Sequence, residues 1–542
     1  MPLGTTRVAG SVVWGFRRRL LRSLAVAAAC AFGLGGPAAT AQRATAPRGG
    51  TLRVITPIVF PSLDPALTKP AVRFYWYATC ATLMAFRDEP APAGFRMRPE
   101  AAAGSPKISH AGRTYVFRVR RGWRFSDGSP LTAANFARGL ARVMNPVMGS
   151  PGAGLFSDVA RVTAKGLRLR IDLNQADADL PMRLALPFAC PVPLDFPVTP
   201  AGVDLTVGSG PYYIARIVPD SMVVLKQNPH YHGSRPHNVD SIVARYTGDM
   251  NSDIKAVEDG QADVLQVEIP SELRAGLARR YGVNQRQLFR VMYDEEALVL
   301  NTSRPLFKGN VALRKAVNFA LDRAEIVRET PSGSLSRTPT DQILPSWVPG
   351  WREYHIYPLK GPNLRRARRL AQGNLRGGKA VLWTMPASVF AAQLPVIESN
   401  LGKIGLDVQA KVLAEDVANG RAGVPGSPYD IFFSEFRLDY PDPADALVRL
   451  LGGENARKPS GNDNFAYFDE STYNRRLAAA DRLTGSARLR AFFRLDAAIM
   501  RKQAPWAPLV EDSVWLLVSK RVGCLRVHPV LVRDYPAMCL LS

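Results

Sequence analysis

The sequence predicts an α/β protein made of several domain-sized units, and three observations support this. The chain has 542 residues, 46% of them hydrophobic, which is more than a single core usually organises. Strand patterns and helix patterns alternate along the chain, as is typical of α/β proteins. The proportion of charged residues, 21%, is that of a folded globular protein.

The charge and cysteine content exclude several classes of protein. A net charge of +24 and a pI of about 10.1 exclude an acidic, halophile-like surface and favour anionic partners such as nucleic acid, envelope polymers or lipid. Five cysteines are too few for a disulfide scaffold, and their spacing is not that of a zinc ribbon.

The N-terminus has the pattern of an export signal. A basic cluster, Arg17–Arg22, precedes the short apolar run Leu24–Leu34, and small residues at Ala39 and Ala41 precede Gln42. We therefore predict a signal peptide over residues 1–41 and a periplasmic or extracellular protein that does not bind nucleic acid. The alternative is an uncleaved anchor, although the run is shorter than the ~20 residues of a membrane span.

Two details of this segment suggest particular export routes. Phe16–Arg22 resembles a twin-arginine signal, and Cys30 after three alanines resembles an imperfect lipoprotein site. The sequence leaves open whether either route applies.

The first part of the exported chain contains strands and a capped helix. Alternating residues predict strands over Thr51–Ile55 and Tyr115–Val119. Thr132 is a suitable N-cap for a helix with apolar residues at helical spacing, which ends before Pro146.

The second part repeats the mixed pattern. Asn310 and Asn363 are suitable N-caps for two further helices. The clearest unit is a strand, a helix stopped by Gly405, and two more strands, over Val381–Trp383, Leu394–Ile404, Leu406–Val412 and Tyr429–Phe433. This order of elements is typical of α/β construction.

Sequence motifs of common enzymes are absent. There is no phosphate-binding loop, no G-x-S-x-G and no H-E-x-x-H motif. His230–His232 with His237 could hold a metal, but a surface turn is the better interpretation. Asp439 and Asp442 could form a catalytic carboxylate pair, but they flank Pro441 in a predicted turn. We therefore predict no catalytic residues, no metal and no cofactor.

Four cysteines follow the predicted signal, and they allow three pairings. Cys524 and Cys539 flank a short segment and are candidates for a local disulfide. Cys80 and Cys190 are the other two, and buried free thiols are the alternative for all four.

Four segments, in this order, carry a resemblance to a known family: Arg113–Ala133, Val207–Tyr231, Leu300–Arg323 and Asp439–Pro443. Together they resemble the family 5 extracellular solute-binding proteins, the dipeptide-, oligopeptide- and nickel-type receptors of bacterial ABC importers. One departure is Tyr77–Leu83, which stands where many members have Tyr-Glu-Gly-Leu.

The resemblance implies a two-lobed periplasmic-binding-protein fold of type II, and a monomer. Residues 42–300 and 512–542 would form the large lobe, with an extra subdomain at 86–200, and residues 301–511 would form the small lobe. Two crossover strands near Tyr293–Leu300 and Glu511–Leu517 would join the lobes. Ligand would be enclosed between them by hinge closure.

The resemblance also suggests ligand-binding residues. Asp439 matches the acid that binds the α-ammonium group of a peptide, although it could be a turn acid. Trp383 resembles an aromatic residue lining the cleft, although it could pack in the core. The Gly208–Gly210 segment, with Ser209, and Tyr212 would form a tight turn near the cleft.

The leading hypothesis is a receptor that delivers peptides to an ABC permease and is not an enzyme. One alternative is a receptor of the same family for a nickel chelate, a sugar or an opine-like solute. The other is an envelope hydrolase on a two-lobed scaffold.

Overall fold

The computed structural model describes residues 47–541, apart from 57–61, 69–72, 267–268, 387 and 460. The described residues belong to one compact unit. The predicted signal peptide, its cleavage site before Gln42 and Cys30 lie outside the described residues. None of the described helices has both the length and the apolar character needed to cross a bilayer.

The described residues contain both helices and strands throughout, as predicted. The helices are α1 Arg73–Thr79, α2 Ala133–Val143, α3 Leu180–Arg183, α4 Met250–Glu258, α5 Ser271–Tyr281, α6 Val311–Ala320, α7 Arg323–Glu329, α8 Leu364–Ala371, α9 Ser388–Gly402, α10 Glu415–Ala422, α11 Pro443–Leu451, α12 Gly453–Ala456, α13 Ser471–Asp481 and α14 Gly485–Lys502.

The strands range from short pairs to two long strands. They are β1 Thr51–Thr56, β2 Met84–Phe86, β3 Met97–Pro99, β4 Lys107–Ser109, β5 Thr114–Arg118, β6 Val159–Lys165, β7 Arg168–Leu173, β8 Tyr212–Val218, β9 Met222–Gln227, β10 Ser241–Tyr246, β11 Val264–Leu265, β12 Leu288–Leu300, β13 Thr338–Pro339, β14 Lys379–Thr384, β15 Asp407–Val412, β16 Ile431–Phe436, β17 Trp506–Val518, β18 Val522–Gly523, β19 Val527–His528, β20 Val532–Arg533 and β21 Cys539–Leu540.

One large sheet runs through the molecule in the order β15-β14-β16-β12-β17-β11-β1-β10-β9-β8. Its two central strands, β12 and β17, are 13 residues long and pair antiparallel. One end of β12 also pairs with β16, and the opposite end of β17 pairs with β11. These two strands therefore connect two groups of strands.

The hydrophobic core is divided in the same way. The largest cluster takes all its buried members from between Ala297 and Val510. The other three clusters take theirs from the rest of the described chain, with Tyr440 as the exception. A second sheet, β4-β5-β7-β6, lies within the predicted subdomain.

The predicted helix caps are confirmed. The backbone N–H of Thr132 donates to Oδ1 of Asn135 over 2.9 Å at the start of α2. The side chains of Asn310 and Asn363 accept backbone N–H groups at the start of α6 and α8. In each case a side chain satisfies a backbone group that has no partner within the helix.

Two details of the second part differ from the prediction. Helix α9 ends at Gly402 and not at Ile404, and Gly405 has a φ of +92° in the turn that follows. Strand β15 forms as predicted, but Ala410 and Val412 on its apolar face are exposed. β15 is the edge strand of the sheet and pairs with β14 alone.

Two disulfides are present among the described cysteines. Cys80, directly after α1, is joined to Cys190 across 110 positions of the sequence. Cys524 is joined to Cys539. The alternative of free buried thiols is therefore wrong for this structure.

Candidate functional site

A first polar contact joins two residues that are 366 positions apart in the sequence. Arg73, the first residue of α1, donates from Nη2 to Oδ1 of Asp439 over 2.5 Å. Asp439 lies in the turn after β16, the last strand before α11. The two side chains are 10% and 19% exposed, so both charges are largely desolvated but open to solvent on one side. The guanidinium of Arg73 also lies over the ring of Phe188, 5.8 Å from its centroid.

Opposing effects act on the Asp439 carboxyl. Burial raises its pKa, but the positive charges of Arg73 and Arg449 outweigh burial and hold the pKa below its usual value. The backbone N–H of Asp439 donates to Oδ2 of Asp445 over 2.5 Å, and Asp445 pairs with Arg449 at 3.3 Å. Asp439 is therefore an ionised carboxylate held by a fixed backbone contact.

A second polar contact begins at the next residue. The hydroxyl of Tyr440 donates to Oδ2 of Asp179 over 2.7 Å, and Nη2 of Arg488 lies 3.5 Å from the same oxygen. Arg488 also pairs with Asp442 at 2.9 Å and with Asp481 at 2.8 Å. All five residues are buried. This contact connects the predicted subdomain, through Asp179, with the predicted small lobe.

Arg183 extends this contact on the subdomain side. It pairs with Asp158 at 2.7 Å and with both Asp177 and Asp179 at 2.8 Å. We call the whole group the buried carboxylate cluster; its members are Asp158, Asp177, Asp179, Arg183, Tyr440, Asp442, Asp481 and Arg488. It contains more carboxyl groups than guanidinium groups.

The excess of carboxyl groups shifts their pKa values. Burial, together with the charge of Asp179, raises the pKa of Asp177 to about 9. Burial raises the pKa of Asp481 to about 6, against the effect of Arg488. Burial also acts on Asp179, but Arg183 outweighs it and keeps that pKa low. Asp177 therefore holds a proton at neutral pH.

Within the cluster, carboxylate oxygens of Asp177, Asp179 and Asp481 lie within 4.8 Å of one another. In the described part of the chain this is the only such group that could hold a metal ion. Arg183 and Arg488 already supply positive charge to these carboxyl groups.

An aromatic contact accompanies the two polar ones. The rings of Phe95 and Trp347 are stacked, with centroids 6.4 Å apart and planes at 15°. Phe95 belongs to the predicted subdomain and Trp347 to the predicted small lobe. The two predicted lobes are therefore in direct contact at Arg73, Phe95 and Asp179.

The residues of the predicted tight turn are buried beside the end of α1. The backbone N–H groups of Ser209 and Gly210 donate to the carbonyl of Thr79 over 2.9 and 2.7 Å. A Cβ at Gly210 would lie 2.8 Å from the Ala78 carbonyl oxygen, so the close approach requires glycine. Tyr212 is fully buried and donates its hydroxyl to the carbonyl of Val239 over 2.7 Å.

Trp383 lies far from this turn. It is 3% exposed, and its ring centroid is 5.2 Å from that of Tyr429 in the largest core cluster. Trp383 is on β14 and Tyr212 on β8, near opposite ends of the large sheet. In this structure both are packing residues, and their contact with ligand stays a prediction.

Of the five predicted ligand residues, Asp439 alone takes part in a contact between the predicted lobes. Sequence reasoning missed its partner Arg73, and also Asp179 and Arg488. No local motif marks these three residues, because their partners across the contact between the predicted lobes are distant in sequence. The clue to this contact that the sequence offered was Tyr440, which lies in the recognised Asp439–Pro443 segment and donates to Asp179.

A surface groove of about 630 Å³ lies elsewhere, lined by residues from 125–135, 193–197 and 204–207. None of its lining residues belongs to the three contacts described above. We therefore do not assign the ligand to it.

The geometry defines a two-lobed α/β protein with polar groups where its halves meet, as in solute-binding receptors. Residues 96–458 match the family described as "Bacterial extracellular solute-binding proteins, family 5 Middle". The chain belongs to this family, as the four sequence segments suggested.

Known relatives extend over most of the chain. The glutathione-binding protein GsiB of Salmonella choleraesuis is 24% identical over 432 residues, which cover 78% of this chain and 82% of that protein.

Solved structures agree on the fold. The clavulanic acid biosynthesis oligopeptide binding protein 2 superposes with a TM-score of 0.82 at 24% identity, covering 92% of this chain and 96% of that one. The ABC transporter-associated periplasmic binding protein DppA from Helicobacter pylori, in complex with the peptide STSA, gives 0.73 at 20% identity, with 91% and 98% covered. The predicted two-lobed fold is confirmed.

Proposed function

We propose that this protein is a receptor that captures peptides between its two lobes and delivers them to an ABC permease. Membership of family 5 and the peptide ligands named for its relatives support this function. The observation that carries it is the ionised, half-buried Asp439 at a contact between the lobes, where a ligand amino group would be enclosed.

The proposed lobes are residues 42–300 with 512–542, including a subdomain at 86–200, and residues 301–511. The separate core between Ala297 and Val510 and the two long strands β12 and β17 support this division. Because only two long strands connect the lobes, the lobes can close on each other at little cost in free energy. A ligand that contacts both lobes favours the closed state.

In this proposal Asp439 binds the α-ammonium group of the peptide through a charge-assisted hydrogen bond. Ser209 and Gly210 donate to the carbonyl of Thr79 at the end of α1, which carries Arg73 at its other end. Trp383 packs against Tyr429 in the largest core cluster. We propose, as the resemblance suggests, that Trp383, Tyr212, Ser209 and Gly210 also contact the ligand.

We also infer that the protein is exported, is cleaved before Gln42, works as a monomer in the periplasm or outside the cell, and has no catalytic activity. The export signal in the sequence and the periplasmic relative support the location. Intact-mass analysis of the exported protein tests the cleavage site. A lipid-modified species beginning at Cys30 would contradict it.

Mass spectrometry of ligands released from gently purified protein, followed by calorimetric titration of the peptides found, tests the function. We expect peptides with a free amino group. Recovery of a nickel chelate, a sugar or an opine, with no binding of any peptide, would overturn the proposal. Hydrolysis of a peptide library by the protein alone would indicate an enzyme instead.

A further inference from the structure

The second sheet, β4-β5-β7-β6, has one buried face and one exposed face. Tyr115, Phe117, Leu169 and Ile171 on the buried face belong to a hydrophobic cluster. Because successive residues of a strand point to opposite faces of a sheet, the residues between them lie on the other face. We call that exposed face the basic face; its charged members are Lys107, Arg118, Arg161, Lys165, Arg168, Arg170 and Asp172.

Three cations of the basic face lie side by side across three strands. Arg168 on β7 is the register partner of Arg118 on β5 and of Lys165 on β6. All three are exposed, and none of them forms an ion pair with another described residue. Residues directly opposite on neighbouring strands have Cβ atoms about 5 Å apart. This is less than the Debye length of about 8 Å at physiological ionic strength, so salt screens their repulsion only in part.

The acid of the basic face compensates a different cation. Asp172 pairs with Arg170 at 2.8 Å and accepts a hydrogen bond from the Thr114 hydroxyl over 2.7 Å. Arg161, opposite Asp172 on β6, and Lys107, on the edge strand β4, are both exposed. The basic face therefore has six cations and one acid.

The fold itself gives no reason for this concentration of charge. Like charges directly opposite on neighbouring strands destabilise a sheet. The core contacts of β5 and β7 are made by the other face, so neutral residues at the three positions would fold as well. Exposed cations that cost stability and have no acidic partner are suited to an anionic partner from outside the chain.

The extent of the basic face favours one kind of anionic partner. Its charges are spread over four strands that lie about 4.8 Å apart, so the face is about 15 Å wide. None of its charged residues lines the groove of about 630 Å³ described above. A single phosphate requires a pocket and a polymer follows a stripe, whereas a bilayer presents its headgroups over an area.

We propose that the basic face binds the surface of a membrane that contains anionic phospholipids, with the row formed by Lys165, Arg168 and Arg118 against the headgroup phosphates. This goes beyond the proposed function, because the basic face includes none of the residues at the contacts between the predicted lobes. Such binding would concentrate the receptor at a membrane surface, where the proposed permease would lie.

Sedimentation with vesicles tests the proposal. One kind of vesicle is an equimolar mixture of phosphatidylglycerol and phosphatidylcholine, and the other is phosphatidylcholine alone. We expect the protein to bind the mixed vesicles at about 0.1 M salt and not to bind phosphatidylcholine alone. Binding should be lost at about 1 M salt, where the Debye length falls to about 3 Å.

A combined variant identifies the surface responsible. Arg118→Gln, Lys165→Gln and Arg168→Gln together should weaken binding to the mixed vesicles about a hundredfold, because each cation near an anionic surface contributes about fivefold. The single change Lys165→Gln should weaken it about fivefold, and it disturbs the sheet least.

The matched control removes three cations elsewhere. Arg279→Gln, Arg352→Gln and Arg482→Gln together cause the same change in net charge at exposed positions outside the sheet. We expect this control to weaken vesicle binding by no more than about threefold. A loss as large as that of the first combined variant would show that net charge, and not the basic face, attracts the protein to the vesicles.

The remaining outcomes separate this inference from the proposed function. Equal binding to both kinds of vesicle, binding to neither, or undiminished binding by the combined variant of the basic face would overturn the inference. So would binding of soluble polyphosphate through the same three cations without binding of vesicles, which would indicate a polymer partner. That variant should bind peptides as the parent does. A protein that binds vesicles as expected but no peptide would overturn the proposed function alone.

Discussion

The two polar contacts between the predicted lobes are built differently, although Asp439 and Tyr440 are neighbours in the chain. Arg73 and Asp439 form a pair of single charges, with each side chain partly exposed. One residue further on, Tyr440 enters the buried carboxylate cluster, where Arg183 and Arg488 each pair with three carboxyl groups and acids outnumber arginines.

This difference indicates that the two contacts between the predicted lobes have different roles. Arg73 and Asp439 can each replace the other with a charged group of the ligand, because both side chains are partly exposed to solvent. The groups of the buried carboxylate cluster cannot exchange partners in this way, because that would leave charges unpaired in the protein interior, away from solvent. We therefore expect the cluster to hold the subdomain against the small lobe and the pair to respond to ligand.

The largest loss of stability should come from removing the cation shared by the cluster. Arg488→Met leaves Asp179, Asp442 and Asp481 without their common partner, and we expect a loss of about 3–5 kcal/mol in the free energy of unfolding. Urea denaturation measures it. Arg482→Met, at an exposed position, is the control and should cost less than about 0.5 kcal/mol. Equal losses in both variants would show that the cluster does not stabilise the fold.

The next effect is a gain in stability that depends on pH. Because the pKa of Asp177 is raised to about 9, its contribution to stability is complete below its unfolded value, about 4, and is lost as the pH rises through 9. Asp177→Asn cannot ionise. The variant should therefore match the parent near pH 4 and become the more stable of the two between pH 4 and pH 9.

Thermal melting at several pH values tests this. Asp195→Asn, at an exposed position, should follow the parent at every pH. A constant difference between Asp177→Asn and the parent across the pH range would contradict the raised pKa.

A smaller effect is expected from a single hydrogen bond of the cluster. Tyr440→Phe removes the bond to Asp179 but leaves both arginines, so we expect a loss of about 1.5–3 kcal/mol, as for hydrogen bonds to charged groups. Tyr213→Phe, at a half-buried position, is the control in the same denaturation assay. If both changes are neutral, the Tyr440 hydroxyl does not hold the lobes together.

The smallest change in stability should be at the ligand-responsive pair. Arg73→Gln should cost about 1 kcal/mol, between the values for exposed and buried pairs, because both residues keep contact with solvent. Denaturation without ligand measures it. A loss as large as that of Arg488→Met would remove the distinction between the two contacts.

The sequence predicted elements well where the signal was local. The caps Thr132, Asn310 and Asn363 act within three residues of their partners, and the buried strand at Ile431–Phe433 is apolar on both faces. The order of the four recognised segments was enough to identify the family. The predicted end of α9 was wrong by two residues, because Gly405 acts in the turn after the helix.

The site was predicted only in part, for a physical reason. Asp439 lies in a recognisable segment, but Arg73 is 366 positions away and has no motif of its own. The Gly208–Gly210 segment was predicted to be a tight turn near the cleft, and in the structure it lies against the backbone of Thr79. A sequence pattern indicates that a segment is constrained and does not indicate which surface constrains it.

The disulfide between Cys80 and Cys190 has a practical consequence for preparing this protein. Cys80 directly follows α1, so the covalent bond fixes the helix whose first residue is Arg73. Production in a reducing cytoplasm leaves both thiols free, and the helix then depends on non-covalent packing alone. Material intended for measuring ligand selectivity should therefore be made by secretion or oxidative refolding, with the absence of free thiols verified before any titration.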